Sequence, residues 1–273
     1  MKKILALILA LVMAFALCAC GQAATPAAPA ADAAPAEETG KLIVGFDAEF
    51  PPYGFIAEDG SYDGFDLAVA AEVCNRLGWE FEAVPIDWDS KDAELSAGNI
   101  NCIWNGFTYT GRENEYTWSD PYVDNKIVLV VKADSGIKTL DDLAGKTVMA
   151  QAGSSAVDAV EGLEGFKDSL GDYVELPDYN TGFMELKQGT VDAVAADIGV
   201  AAFNMASNEG DYIILDEALQ SEQYAVGFLL GNTELRDIIN EQLLAVAADG
   251  TMMKIAEKYV DAGLVLEGLC LCK

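Results

Sequence analysis

The 273-residue chain contains no histidine. That absence removes Ser-His-Asp and Cys-His catalysis, His-ligated metal centres and the usual general base near neutral pH. Positive charge is scarce. Lysine and arginine together number 16 against 45 aspartates and glutamates, for a formal net charge of -29. A nucleic acid or an anionic membrane surface would be repelled along most of such a surface, so no nucleic-acid partner is expected. None of the six cysteines forms a C-x-x-C pair, which removes the common redox and zinc spacings. No metal or cofactor is expected.

The apolar run at the start, Ile4 to Leu17, has 14 residues behind a two-lysine head. A membrane-spanning helix needs about 20, so the run reads as the core of a signal peptide over residues 1–19. It ends in Leu17-Cys18-Ala19-Cys20-Gly21, which resembles a bacterial lipobox. That resemblance implies lipid on Cys20 and a chain held at the outer face of the cell membrane. Residues 20–40 are mostly Ala, Pro and small polar residues. They cannot bury a core, and extended they would let the rest of the chain stand up to about 60 Å from its anchor.

From Lys41 onward, short apolar runs alternate with amphipathic stretches. The pattern predicts strands at 42–47, 80–86, 100–107, 127–131, 147–151, 173–176, 193–196, 212–215 and 224–230. Helices are expected at 66–77, 90–97, 155–163, 182–188, 233–248 and 252–260. Regular alternation of this kind means α/β architecture, with mostly parallel sheets flanked by helices. Two complete sets of elements imply two lobes: residues 41–130 with 226–264, and residues 131–225, followed by a tail at 265–273. The strands at 127–131 and 224–230 are expected to cross between the sheets. Cys270 and Cys272 lie two apart in the tail, where an extended chain would turn their side chains to opposite sides.

A site would form in the loops beyond the strand ends, facing a cleft between the lobes. The first lobe offers Asp47 and Phe50 after the first strand, Trp88 after the second, and Gly106, Thr108 and Arg112 after the third. Arg112 is one of only three arginines, and the only one in a loop pattern. It suits a carboxylate held bidentately, or else a surface ion pair with Glu113 or Glu115. The second lobe offers Ser154 and Ser155 at a helix start, which is either an anion site or a plain serine N-cap. Asp197, at the end of an apolar strand, suits an ammonium group or equally a cap for the helix after it. A guanidinium, a helix N-terminus and a carboxylate together match a zwitterion. Trp104 belongs either to this cleft or to the core.

The stretches VGFDAEFPPYGFIAEDGSYDGFDLAVAAEVCNRLG, NGFTYTGRENEYTWSDPY, LDDLAGKTVMAQAGSSA and GTVDAVAADIGVA resemble, in this order, the bacterial family 3 extracytoplasmic solute-binding proteins of polar amino-acid ABC transporters. The resemblance covers nearly all of residues 41–264. It implies a type II periplasmic-binding-protein-like clamshell, monomeric, that clamps a free amino acid and presents it to a membrane permease. It assigns Phe50 and Trp88 to aromatic pocket walls, Gly106 and Thr108 to ligand-facing backbone and hydroxyl, Arg112 to the α-carboxylate, Ser155 to the helix start and Asp197 to the α-ammonium. Thr110-Gly111-Arg112 is one residue shorter than the family's Thr-x-x-Arg, which bears on the register of the arginine. The alternatives are a sensor that binds without transport, and a periplasmic dehydratase-like enzyme, for which Glu49 is the candidate acid. Trp88 and Trp104 with Asp47 and Glu49 favour a polar or cationic side chain.

Overall fold

The computed structural model describes residues 40–273; the signal run, Cys20 and the tether lie outside the described residues. Strand β1 (Lys41–Phe46) leads into a small antiparallel sheet of β2 (Glu49–Phe50), β3 (Gly54–Ile56) and β4 (Tyr62–Asp63). Helix α1 (Phe65–Leu77) then precedes β5 (Glu80–Pro85), and α2 (Lys91–Ala97) precedes β6 (Cys102–Ile103) and β7 (Thr117–Trp118). Val69, Ala70, Val73 and Cys74 bury one face of α1, and Gly78 ends it in a left-handed conformation.

The chain next forms a second sheet from β8 (Val123–Lys132), β9 (Thr147–Gln151), β10 (Asp172–Leu176), β11 (Ala193–Asp197), β12 (Tyr212–Ile214) and β13 (Gln220–Tyr224). Helices α3 (Ser155–Gly162), α4 (Phe166–Ser169), α5 (Tyr179–Gln188) and α6 (Ile198–Ser207) connect these strands. Finally β14 (Gly227–Phe228) returns to the first sheet, and α7 (Thr233–Ala248) and α8 (Thr251–Ala256) pack back on α1. The first sheet has the order β5-β1-β6-β14-β7. In the second, β10-β9-β11-β8-β12 is the main path and β13 adds along β8.

Each of these two α/β lobes is thus mixed, with a parallel centre such as β5-β1-β6 and antiparallel additions. Of the two strands expected to cross between sheets, 127–131 does not and 224–230 does. All of β8 pairs inside the second sheet, so residues 123–130 sit with the second set of elements rather than the first. The stretch 224–230 divides: Tyr224 pairs with Val123 in one sheet, while Gly227 pairs with Ile103 and Trp118 in the other. The real crossings are short, at 119–122 and 225–226, and they are bonded side by side. The Ser119 N–H donates to the Val226 carbonyl at 3.0 Å, and the Tyr122 N–H to that of Tyr224 at 2.9 Å.

The strand expected over 100–107 stops at Ile103, because Gly106 takes a left-handed φ of 55° and turns the chain. Helix α6 does not stand out by periodicity, since its segment IGVAAFNMAS is apolar almost all round. The tail is not extended. Cys270–Cys272 form a 3-10 turn, Leu269 is buried, the Cys270 N–H reaches the Tyr122 carbonyl at 3.1 Å, and Lys273 pairs with Asp124 at 2.7 Å. The tail therefore lies against a crossing segment, and all four described cysteines are free thiols.

Gly64 is the tightest joint of the first lobe. Its φ is 141°, and a Cβ there would lie 2.2 Å from the Tyr53 carbonyl oxygen. Gly64→Ala is expected to cost roughly 2–3 kcal/mol, from backbone strain plus overpacking. The melting temperature should fall by about 5–10 °C, and an unchanged melting curve would show that the loop yields.

Candidate ligand-binding site

The ends of β1, β6, β9 and β11 point at one another across the two lobes, and the side chains carried there meet. Phe50, Trp88, Gly106, Thr108 and Arg112 from the first lobe line one pocket with Ser154, Ser155 and Asp197 from the second. Asp47 is one hydrogen bond away: its Oδ2 accepts from Gln151 Nε2 at 2.6 Å, which ties the lobes together. Trp104 is fully buried in the first lobe beside Tyr122, so it is core.

Arg112 is held by its surroundings. Its N–H donates to the Tyr109 carbonyl at 3.0 Å, its own carbonyl accepts from Trp118 Nε1 at 3.0 Å, and its guanidinium lies 5.8 Å from the Phe107 ring centroid. The ion pair left open above is not with Glu113 or Glu115. Arg112 Nη2 reaches across the cleft to Asp158 Oδ2 on α3 at 3.1 Å, while Glu113 accepts from the Gly111 N–H. Asp158 is 65% exposed, so this contact adds little to stability. The other two arginines are structural: Arg76 joins α1 to Asp249 and Thr251, and Arg236 donates to the Trp118 carbonyl.

The two alternatives in the second lobe resolve by geometry. Ser154 occupies the N-cap of α3, but its hydroxyl turns back to the Gln151 carbonyl at 2.7 Å and does not cap the helix. Ser154 and Ser155 place the start of α3 on the pocket, and the first amides of a helix carry its positive end. Asp197 likewise stands at the N-cap of α6 without capping it. Its carboxylate instead accepts from Asn125 Nδ2 at 2.7 Å, from the Tyr224 hydroxyl and, at 3.4 Å, from the Tyr179 hydroxyl. Burial, reinforced by the charge of Glu222, pushes this carboxyl up to about 7.

Several residues of the site carry no motif. Gly106 is held by Asp66, whose Oδ2 accepts from the Gly106 N–H and from the Tyr122 hydroxyl, both at 2.6 Å. Asp66, in the first turn of α1, is fully buried, and burial raises it to about 7. A Cβ on Gly106 would lie 2.7 Å from the Phe50 ring. Asn105, which lines the pocket, accepts from the Asp47 N–H at its Oδ1, and its buried Nδ2 has no partner. Lys91, buried on α2, donates to the Gly153 carbonyl of the other lobe at 3.1 Å, and burial lowers its pKa. Glu222 and Asn125 join Asp197 from β13 and β8. Long-range pairing, rather than local pattern, brings these residues in.

Beyond Asp47 a groove of about 560 Å³ continues past Glu49, Asp87, Trp88, Asp89, Glu94 and Asp178. Burial raises the pKa of Asp47, and burial together with Asp178 raises that of Glu49.

Two α/β lobes, joined by paired crossings and closing on a pocket that joins a guanidinium to a buried carboxylate, define a two-lobed solute-binding protein. Residues 42–262 match the model of the bacterial extracellular solute-binding proteins, family 3, and the chain belongs to that family. The L-cystine-binding protein TcyJ of Escherichia coli K12 is 30% identical over 231 residues, covering 83% of this chain and 85% of that protein. The arginine-binding extracellular protein ArtP of Bacillus subtilis is 30% identical over 271 residues, covering 95% and 98%. Among solved structures, a substrate-binding protein of an ABC uptake transporter from Streptococcus pneumoniae with bound histidine superposes with a TM-score of 0.78. It is 35% identical, and the match covers 82% of this chain and 94% of that one.

Proposed function

We propose that this protein captures a free amino acid between its lobes and delivers it to an ABC permease, tethered at the outer face of the membrane through Cys20. Arg112 takes the α-carboxylate at the start of α3, Thr108 and Ser155 stand beside it, and Asp197 takes the α-ammonium. Phe50 and Trp88 wall the ligand, and the Gly106 backbone lets it approach. The observation that carries this reading is the convergence of a guanidinium, a helix N-terminus and a buried carboxylate from two lobes on one pocket. A zwitterion meets opposite charge at both ends there, which offsets its desolvation.

The side chain is directed into the groove past Asp47. Six carboxylates on that wall favour a polar or cationic group over an acidic one. Relatives that bear the names of cystine- and arginine-binding proteins agree with this size and polarity. A thermal-shift panel of free amino acids tests the reading. A ligand at 100 times its dissociation constant stabilises the folded protein by about 2.7 kcal/mol, so the true ligand should raise the melting temperature by several degrees. A flat response across the panel would remove the amino-acid reading.

A further inference from the structure

Glu222 has no role in the zwitterion clamp described above, yet it is as buried as the residues that do: 3% exposed, equal to Asp197. The two carboxylates lie on either side of one amide nitrogen. Asn125 Nδ2 donates to Asp197 Oδ1 at 2.7 Å and to Glu222 Oε1 at 2.8 Å, using both its hydrogens. The same Oε1 meets the hydroxyls of Thr108 at 2.9 Å and Ser155 at 3.1 Å, and Oε2 accepts from Gln220 Nε2 at 3.0 Å.

Every group bonded to the pair is neutral. Tyr224 of β13 and Tyr179 at the start of α5 bond Asp197, and Tyr53 packs edge-on against Tyr224 at 5.2 Å. Asp66 lies beyond Tyr53. On β8, the neighbours Asp124 and Lys126 are exposed, and Asp124 is bonded to Lys273 and Gln223. Arg112 lines the same pocket, but its guanidinium is engaged by Asp158. Two buried carboxylates bridged by one neutral amide, with no cation bonded to either among the described residues, cannot both ionise cheaply.

We propose that Glu222 is a second acid of this site, sharing one proton with Asp197 across Asn125 and releasing it to solvent when a ligand ammonium arrives beside Asp197. The proposal rests on the reading that the ammonium sits at Asp197. The exchange is balanced: one proton leaves the pair as one positive charge enters, and no bond of the ligand changes. Glu222 acts through Asn125 and Asp197 and is a positioning residue, not a contact to the ligand. It sets the charge that the ammonium end must supply, and so discriminates against deaminated analogues. Burial raises both carboxyls, which agrees with a pair that keeps its proton toward neutral pH.

The test is calorimetry between pH 5 and 7 with L-arginine as probe, whose own groups keep their charges over that range, in two buffers of different ionisation enthalpy. Wild type should release close to one proton per ligand near pH 6. Its affinity should rise by up to about tenfold per pH unit and level off above pH 7, as the pair loses its shared proton. Glu222→Gln keeps an acceptor for Asn125 but removes the second carboxyl. It should move the levelling-off point down by about a pH unit or more, and the release at pH 6 should fall accordingly. A purely structural role would weaken binding equally at every pH. An unshifted profile with unchanged proton release overturns the proposal while leaving the clamp standing; retained binding in Asp197→Asn overturns the clamp itself.

The ligand-free protein supplies an arm independent of the probe. Groups whose folded pKa is raised give stability below their unfolded values and lose it as pH rises through the folded ones. Wild-type stability from urea unfolding should therefore fall between about pH 4 and 7, and more steeply than that of Glu222→Gln. Equal slopes also overturn the proposal, even if L-arginine does not bind.

Discussion

Arg112→Ala is expected to lower the affinity for the cognate amino acid by about a hundredfold or more while leaving the melting temperature of the ligand-free protein within a degree or two. Removing one partner of an enclosed charge pair costs roughly 2–5 kcal/mol, because the other is left unpaired away from water. The loss to the fold is small. Among the described residues the only ionic partner of Arg112 is the exposed Asp158, and its backbone bonds to Tyr109 and from Trp118 survive the truncation. Arg112→Lys should recover only part of the affinity, since an ammonium keeps the charge but not the planar fork that meets a carboxylate at two points. Asp158→Asn serves as control: affinity should hold or rise as the guanidinium loses its competing partner. Isothermal titration with the amino acid identified by thermal shift measures all three. Full affinity in Arg112→Ala would return this arginine to a cross-cleft ion pair and nothing more.

Asp197→Asn should separate binding from stability in the opposite sense. The substitution keeps the shape of the side chain and its place beside Tyr224, Asn125 and Tyr179, but withdraws the charge that an α-ammonium needs. Affinity at pH 7.5 is expected to fall by about a hundredfold or more. Above pH 7 the wild-type carboxyl is ionised against the pull of burial, so a neutral amide relieves that cost. The ligand-free variant should therefore melt no lower than wild type. A variant that binds normally, or one that fails to fold, would contradict the role assigned to this carboxylate.

The residues legible in sequence are those with a local signature. Ser155 starts a helix, Asp197 ends a strand, and Gly106 and Arg112 lie in the loop after one, and the ends of strands are where α/β folds gather ligands. Asp47, Phe50 and Trp88 follow strands in the same way. Asn105, Asn125, Glu222 and Tyr224 have no such mark. Asn125 looks like any polar residue in a strand, and Glu222 like one more acid in a chain that carries 45. They reach the pocket because β13 pairs antiparallel with β8, in a register that sets Glu222 opposite Asn125.

Composition and apolar rhythm were enough to establish an acidic, histidine-free α/β protein with two sets of strands and helices, because burial of alternating apolar residues is a local demand that neighbours in sequence meet together. Which strand joins which sheet was decided only in three dimensions. The run 224–230 was divided between the lobes by pairing with Val123 on one side and with Ile103 and Trp118 on the other. The same holds for the caps. Ser154 and Asp197 sit at helix starts in sequence, and only the tertiary environment, by offering Asp197 the hydroxyls of Tyr224 and Tyr179, turned its carboxylate away from the helix it precedes and into the pocket.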